Sequence, residues 1–410
     1  MLLQYLVVFA LLPPKKHNMK RKNLTIGIFG FGCVGQGLFD VLSRTNGIKA
    51  TIKKICIKNP TKSRALASHY FTTDKNEILN DPEIDVVVEL INDEIAAFDI
   101  VKTAMQNGKS VVSASKKMIA ENLHELYALQ QQYKVPFLYE GACCASIPII
   151  RNLEEYYDND LLHSVEGIIN GSTNYILTKI FEENISFAPA LLDAQNMGFA
   201  ETDPRLDVEG FDPKYKLCIL LLHAFGLFVK PENIFNFGIQ HINDFDINYA
   251  RQKNAKIKLI AKCQKINNDV FAYVFPHLIY ENSQLSNISN EYNGLLVESA
   301  FSDKQFFAGK GAGSTPTGSA VLSDISALSY NYRYEYRKIG QSSTLELNNN
   351  IPLKLYVRYS KSQKINLADF SAIHEEYASA ENKYIIGTIG LEKVKKLSWI
   401  HEDGVNLLVV

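Results

Sequence analysis

A six-residue apolar run, Leu24–Phe29, leads directly into Gly30-Phe31-Gly32-Cys33-Val34-Gly35, and a helical pattern follows over Gly35–Leu42. Glycines at this spacing, between a strand and a helix, leave the chain few options. The first permits a tight turn. The second lets a pyrophosphate approach the backbone, and the third lets the helix pack on the strand. The helix N-terminus then favours negative charge. The loop predicts a dinucleotide site built by Gly30, Phe31, Gly32, Cys33, Val34 and Gly35. Downstream, the apolar runs Lys54–Ile57, Val86–Leu90, Ser110–Ser113 and Phe137–Tyr139 alternate with helical patterns over Lys62–His69, Ala96–Gln106 and Asn122–Tyr133. β-Branched runs separated by helices predict an α/β fold with a Rossmann-type, doubly wound parallel sheet.

At 410 residues the chain is too long for that unit alone. Lys plus Arg number 43 against 44 Asp plus Glu, a net charge of -1. This balance argues against a nucleic-acid partner and gives no reason to expect a membrane surface. Six scattered cysteines suggest neither a disulfide framework nor a zinc site, so reduced thiols in a cytoplasmic protein are expected. Residues 1–18 open with an apolar run too short to span a bilayer, before Met19. We read them as an upstream extension, with Met19 the working start.

Past Pro148 the pattern changes. Helical stretches Ile149–Tyr157, Thr173–Glu182, Phe187–Asn196 and Lys214–Phe225 surround a strand at Ser164–Ile169. Further strands are expected from Val270, at Gly294–Glu298 and at Asp303–Ala308. The expected division is a cofactor domain over 19–148, with a return helix in 316–340, and an α+β catalytic and dimerisation domain over 149–315. A small C-terminal α+β module over 345–410 begins with the strand Leu353–Tyr359 and ends with Val405–Val410.

Three polar groups carry the chemistry. The second strand ends in Lys58 and Asn59, with Lys62 and Arg64 beyond and no carboxylate to take both ribose hydroxyls. Positive charge there suits a 2′-phosphate and favours NADP(H) over NAD(H); the same cations would also serve as a solvated loop face. Second, Glu201, Asp203, Asp207, Glu209 and Asp212 crowd the start of an apolar helix. Asp212 is expected to cap it, with Pro213 at its first position. Lys216 lies four residues on, on the same face, where a carboxylate-held lysine can exchange a proton with a hydroxyl. Taken alone, this run also reads as a solvated loop with a good cap. Third, Ser115-Lys116-Lys117 and Tyr139-Glu140-Gly141-Ala142 follow strands at the sheet edge where open α/β folds bind ligands. Asn170-Gly171-Ser172-Thr173 joins a strand to a helix in the second domain.

Read together, GIFGFGCVG, VVVEL, SKK, YEGACCASIPII, NGSTNYIL, GFAETDPRLDVEGFDPKYKLCIL and GKGAGSTPTGSAVLSD resemble the homoserine dehydrogenase family over Leu24 to Leu328. The resemblance implies NAD(P)-dependent interconversion of L-homoserine and L-aspartate 4-semialdehyde, on the route to threonine, methionine and isoleucine. It implies Lys216 as general acid/base, Lys116 as a second active-site cation and Asp212 as the group orienting Lys216. Glu201 would bind the substrate ammonium, with Asp207, Thr173 and Gly171 completing the substrate pocket. Ser115, Lys116, Lys58 and Gly311 would join the glycine loop at the cofactor. A monovalent cation, sodium or potassium, would be held by Glu140 and the carbonyls of Cys143, Ala145 and Ile147. A homodimer or homotetramer is implied. The chain departs from the family at Ser115, at Ile91-Asn92-Asp93 and at Cys143-Cys144-Ala145-Ser146. It also lacks the Asp-x-Pro-Gly-Val turn of an ACT domain, so the module is a divergent ACT-like remnant or a different small unit. Two rivals stand beside this reading: an NADP-dependent oxidoreductase acting on another amino-acid aldehyde, and a non-catalytic amino-acid sensor.

Overall fold

The computed structural model describes residues 22–64, 66–159, 161–341, 345–360 and 365–410. The expectation for residues 1–18 lies outside them. Six parallel strands form the first sheet: β1 (Leu24–Phe29), β2 (Ala50–Cys56), β3 (Phe71–Thr72), β4 (Val86–Glu89), β5 (Ser110–Ser113) and β6 (Phe137–Leu138). Their order, β3-β2-β1-β4-β5-β6, is that of a dinucleotide-binding Rossmann sheet. Val86, Val87 and Val88 have no more than 1% exposure, as expected where helices cover both faces.

Two expectations for this sheet fail locally. Among the described residues of Lys62–His69 no α-helix forms, and a short turn, Ser68–Tyr70, stands at their end. Arg64 lies 5.3 Å over the Phe71 ring and donates 2.8 Å to the Lys62 carbonyl, which holds the segment as a loop. The helix expected from Asn122 already begins at Lys116 and runs to Tyr133, kinked at Asn122. The return helix, Ser314–Leu328, packs against the first helix, Cys33–Ser43. Their close approach requires glycine on both sides. A Cβ on Gly37 would lie 2.0 Å from the Ser314 carbonyl oxygen, and one on Gly318 would lie 2.5 Å from the Gly37 carbonyl carbon.

The second sheet contains β7 (Leu162–Ile168), β8 (Phe235–Asn236), β9 (Ala255–Ile266), β10 (Asp269–Tyr280), β11 (Tyr292–Ser299), β12 (Asp303–Lys310), β13 (Glu346–Leu347), β14 (Pro352–Ser360), β15 (Ala372–Ala378), β16 (Asn382–Gly390) and β17 (Asn406–Val409). Its main path is β12-β11-β7-β9-β10-β17-β14-β16-β15, with β8 and β13 beside β10. Strands β9, β15 and β16 and the helix Asp244–Gln252 were not foreseen. That helix starts with a capping box between Asn243 and Asp246, a signal that was present in the sequence. The C-terminal module continues the second sheet: β17 runs parallel to β10 with His277 opposite Val409. The strands from β14 onward lie in the order β17-β14-β16-β15. Phe275, Leu355, Val357, Trp399 and Leu407 form a second core beneath it.

Candidate functional site

The glycine loop is built for close approach. Gly30 has φ +93°, and a Cβ there would sit 2.6 Å from the Leu90 carbonyl oxygen. A Cβ on Gly35 would meet the Gly30 oxygen at 2.6 Å, whereas nothing lies within 4 Å of one on Gly32. Gly32 is therefore the open face of the loop. It caps the helix Cys33–Ser43 without any side-chain hydrogen bond, which leaves first-turn amides for an anionic ligand. These features fit a dinucleotide pyrophosphate. Cys33 and Val34 line the cleft beyond, but the Phe31 ring turns away onto Phe39 and Phe71. Across the cleft, Gly311 lies against Asn293, where a Cβ would come within 2.1 Å of the amide oxygen.

Two adjoining cavities of about 380 and 320 Å³ occupy the cleft, and Val34, Lys116, Glu201, Leu206, Lys216 and Gly311 line both. At their floor both lysines converge on one carboxylate. Lys116 Nζ lies 2.7 Å from Asp212 Oδ1, and Lys216 Nζ lies 2.6 Å from Asp212 Oδ2. Lys216 also donates 2.7 Å to the Ile169 carbonyl. Asn170 Nδ2 donates to Asp212 Oδ2 and to Asp207 Oδ1, both at 2.7 Å. Burial would raise the Asp212 carboxyl, but the two ammonium groups outweigh it and hold it well below the usual carboxylate range. Asp207 moves the other way, raised by burial and then by the charge of Asp212. The charge of Asp212 likewise raises Lys116. Glu201 stands exposed above the floor, its backbone carbonyl held by Gln195 Nε2 at 3.0 Å.

One expectation is corrected here, and two of the expected site residues lie apart from the cavity linings. Asp212 does not cap its helix. The helix runs Phe211–Phe225, Gly210 caps it at φ +83°, and the Asp212 oxygens are taken by the lysines and Asn170. Thr173 is 1% exposed and is not part of the cavity lining; its hydroxyl turns back to Asn170 Oδ1 at 2.9 Å, while Gly171 does line the cleft. Lys58 is exposed and lies outside the hollow beyond β2, a space of about 600 Å³ lined by Thr61, Lys62, Ser63, Arg64 and Phe71. Two residues were given no role of their own by sequence reasoning. Asn170 joins both acids while capping the helix Gly171–Glu183, and its position just before a helix was the available signal. Glu89, wholly buried and raised by that burial, takes hydrogen bonds from Ser113, the Ile91 amide and Ser115. Ser115, which also lines the first cavity, is thereby fixed.

The turn after β6 is enclosed. Glu140 is 2% exposed and accepts from the amides of Ile150 and Arg151 at 2.8 and 2.9 Å. Burial, then the charge of Asp324, pushes its carboxyl up to about 8. Ala145 is held at φ +49°, an uncommon conformation outside glycine. The Ile147 carbonyl accepts from the Ile149 amide at 2.8 Å. No group of three or more His, Cys, Asp or Glu side chains placed to hold a metal occurs among the described residues, so an ion in this turn would depend on main-chain oxygens. All six cysteines are unpaired, and burial pushes Cys144 up to about 12. Among the described residues no helix is long and apolar enough to cross a membrane.

Comparison with known proteins agrees with this geometry. A model of the homoserine dehydrogenase NAD-binding domain matches residues 30–140, and the homoserine dehydrogenase model matches residues 148–326. The homoserine dehydrogenase of Bacillus subtilis is 34% identical over 321 residues, spanning 76% of this chain and 74% of that protein. The crystal structure of a homoserine dehydrogenase from Thiobacillus denitrificans superposes with a TM-score of 0.84 at 28% identity, covering 95% of this chain and 98% of that one. The S. aureus homoserine dehydrogenase at pH 6.5 gives 0.71 at 29% identity, over 94% and 98%. The chain belongs to the homoserine dehydrogenase family.

Proposed function

We propose that the chain interconverts L-aspartate 4-semialdehyde and L-homoserine, with Lys216 as general acid/base, and so serves threonine, methionine and isoleucine synthesis in the cytoplasm. One observation carries this reading. Lys216 is buried, paired with Asp212 and bonded to Ile169, yet it lines both cavities and keeps a third ammonium hydrogen. In the reductive direction that hydrogen passes to the substrate oxygen as the carbonyl becomes an alkoxide; in the oxidative direction the neutral amine takes the hydroxyl proton back. The nicotinamide, when bound, supplies or accepts the hydride. Asp212 orients Lys216 and offsets two positive charges, Lys116 adds positive charge between cofactor and substrate, and Glu201, with Asp207 below it, takes the substrate ammonium. The protein's contribution is orientation and fixed charge.

NADP(H) is the preferred cofactor in this reading, supported by Lys62 and Arg64 at the hollow beyond β2. Sodium or potassium would be held by Glu140 and the carbonyls of Cys143, Ala145 and Ile147, where it would offset the buried acids and stiffen the domain junction. The module over 345–410 is read as ACT-like on its strand order. A homodimer or homotetramer would form through the second sheet, whose strand β12 ends the path with an open edge. The test follows reduced-nicotinamide absorbance with L-homoserine and NADP+ or NAD+, for the wild type and for a Lys62→Ala, Arg64→Ala variant. The expected result is turnover of homoserine with NADP+ preferred, and a preference that falls about tenfold in the variant. Turnover confined to another amino alcohol overturns the substrate, and an unchanged ratio overturns the cofactor assignment.

A further inference from the structure

Lys116 opens the helix Lys116–Tyr133, and Asp212 and Lys216 lie at the start of the helix Phe211–Phe225. These helices pack against each other. Farther along, about 21 Å from Lys116 on the first helix and about 10 Å from Lys216 on the second at a rise of ~1.5 Å per residue, they are joined by buried side chains. Gln130 of the first helix donates from Nε2 to the Tyr336 hydroxyl at 2.8 Å. The Tyr336 and Tyr139 hydroxyls are 3.1 Å apart, and Tyr139 Oη lies 2.8 Å from Nε2 of His223 on the second helix. His223 Nδ1 lies 2.6 Å from Glu154 Oε1. Glu154 Oε2 accepts from the amides of Glu335 and Tyr336, both at 3.0 Å, which closes the chain into a ring.

One set of hydrogen directions satisfies every member. Gln130 donates to Tyr336, Tyr336 to Tyr139, Tyr139 to His223 Nε2, and His223 Nδ1–H to the Glu154 carboxylate. Gln130, Tyr139, His223 and Tyr336 are each no more than 7% exposed. Lys338 adds a brace, donating to the carbonyls of His223 and Leu153 at 2.7 and 2.8 Å. Five positions from five parts of the sequence therefore meet in one enclosed network outside the cavities. It ties the residue after the last strand of the cofactor sheet, both lysine-bearing helices, the turn Asn152–Tyr156 and the segment after the return helix.

We propose that the chain Gln130–Tyr336–Tyr139–His223–Glu154 is a positioning device that sets the axial register of these two helices, and with it the place where Lys116 and Lys216 meet Asp212. This rests on the roles given to those lysines above. A buried network of this kind has few alternative arrangements. Loss of one hydroxyl frees the helices to slide relative to each other, and displacements near 1 Å at reacting groups cost up to about 100-fold in rate.

The test uses the full chain as Tyr336→Phe, Tyr139→Phe, His223→Leu and His223→Gln variants. Measured for each are kcat, both KM values, the melting temperature and the primary deuterium isotope effect with reduced cofactor deuterated at the transferred position. The two Phe variants keep the ring shape and should fold. They should lose about tenfold in kcat, keep KM for the cofactor within about twofold, and show a larger isotope effect as hydride transfer limits more of the turnover. His223→Gln, which can accept from Tyr139 and donate to Glu154, should recover most of the kcat lost in His223→Leu. If His223→Leu does not fold, the Phe variants decide. A lowered melting temperature with kcat and the isotope effect unchanged overturns the proposal. Retained kcat in Lys216→Ala would overturn the site reading instead, and the two failures are separable.

Discussion

Two of the buried cation–carboxylate clusters have similar ingredients and different outcomes. At the domain cleft, Asp212 meets Lys116, Lys216 and Asn170. Under the C-terminal module, Asp246 meets Arg358, Tyr356 and the Asn243 amide. Arg358 also donates to the carbonyls of Gly404 and His241 at 2.7 and 2.6 Å, and the Tyr249 ring stacks on Tyr356 at 4.5 Å. Every nitrogen of that guanidinium is engaged, and its side chain is 3% exposed. In the cleft, Lys116 keeps 42% of its side chain exposed and Lys216 adjoins open space. The carboxylates register the difference. Burial raises Asp246 despite Arg358, whereas two ammonium groups pull Asp212 down despite burial. A closed cluster locks two parts of the fold together; one with spare hydrogens facing a cavity is equipped for chemistry.

Substitutions can break this contrast. Lys216→Ala should lower kcat by about 1000-fold with cofactor binding and melting temperature retained, as followed by initial rates and cofactor titration. Arg358→Ala should do the reverse, leaving Asp246 buried without its cation. A stability loss of about 3–5 kcal/mol in denaturant unfolding is expected, with turnover per folded molecule unchanged. Equal loss of both properties in either variant would erase the distinction. Glu201→Gln should raise KM for homoserine about tenfold and leave kcat nearly intact, since it removes a charge-assisted contact at an exposed rim.

The smallest effect is in pH. Asp212 is depressed in the folded protein, so its contribution to stability is present above the unfolded value near ~4 and is lost as pH falls below it. Asp246 is raised, so the folded state holds its proton longer and stability declines as pH rises from ~4 through the folded value. Unfolding free energy against pH should therefore lose acid-side slope in Asp212→Asn and lose the opposite slope in Asp246→Asn. Slopes of one sign in both would refute the difference between the clusters.

The two clusters were not equally legible. Asp212 and Lys216 are four apart in one helix, so local spacing was enough to pair them. The glycine loop, the alternating strands and the order of the central motifs were local too, and these determined the Rossmann unit and the family resemblance. Asp246 and Arg358 are 112 positions apart, and no local pattern connects them. The same holds for Lys116 and Asp212, which share an ion pair only because two domains fold onto one cleft. Asp212 was misread as a cap because capping is the local use of an aspartate before a helix, while its real partners come from other segments. Strand β9 has buried Ile257, Leu259, Ala261 and Cys263 alternating with Lys256, Lys258 and Lys262, but the apolar, buried Ile260 interrupts that alternation. The amino-acid sequence by itself determined the elements whose signals lie within a few residues of one another: the phosphate loop, the lysine helix and the core strands. Tertiary structure alone decided which carboxylate holds both lysines, which cations reach the hollow beyond β2, and how the module joins the second sheet, because those choices depend on surfaces brought together only when the chain packs.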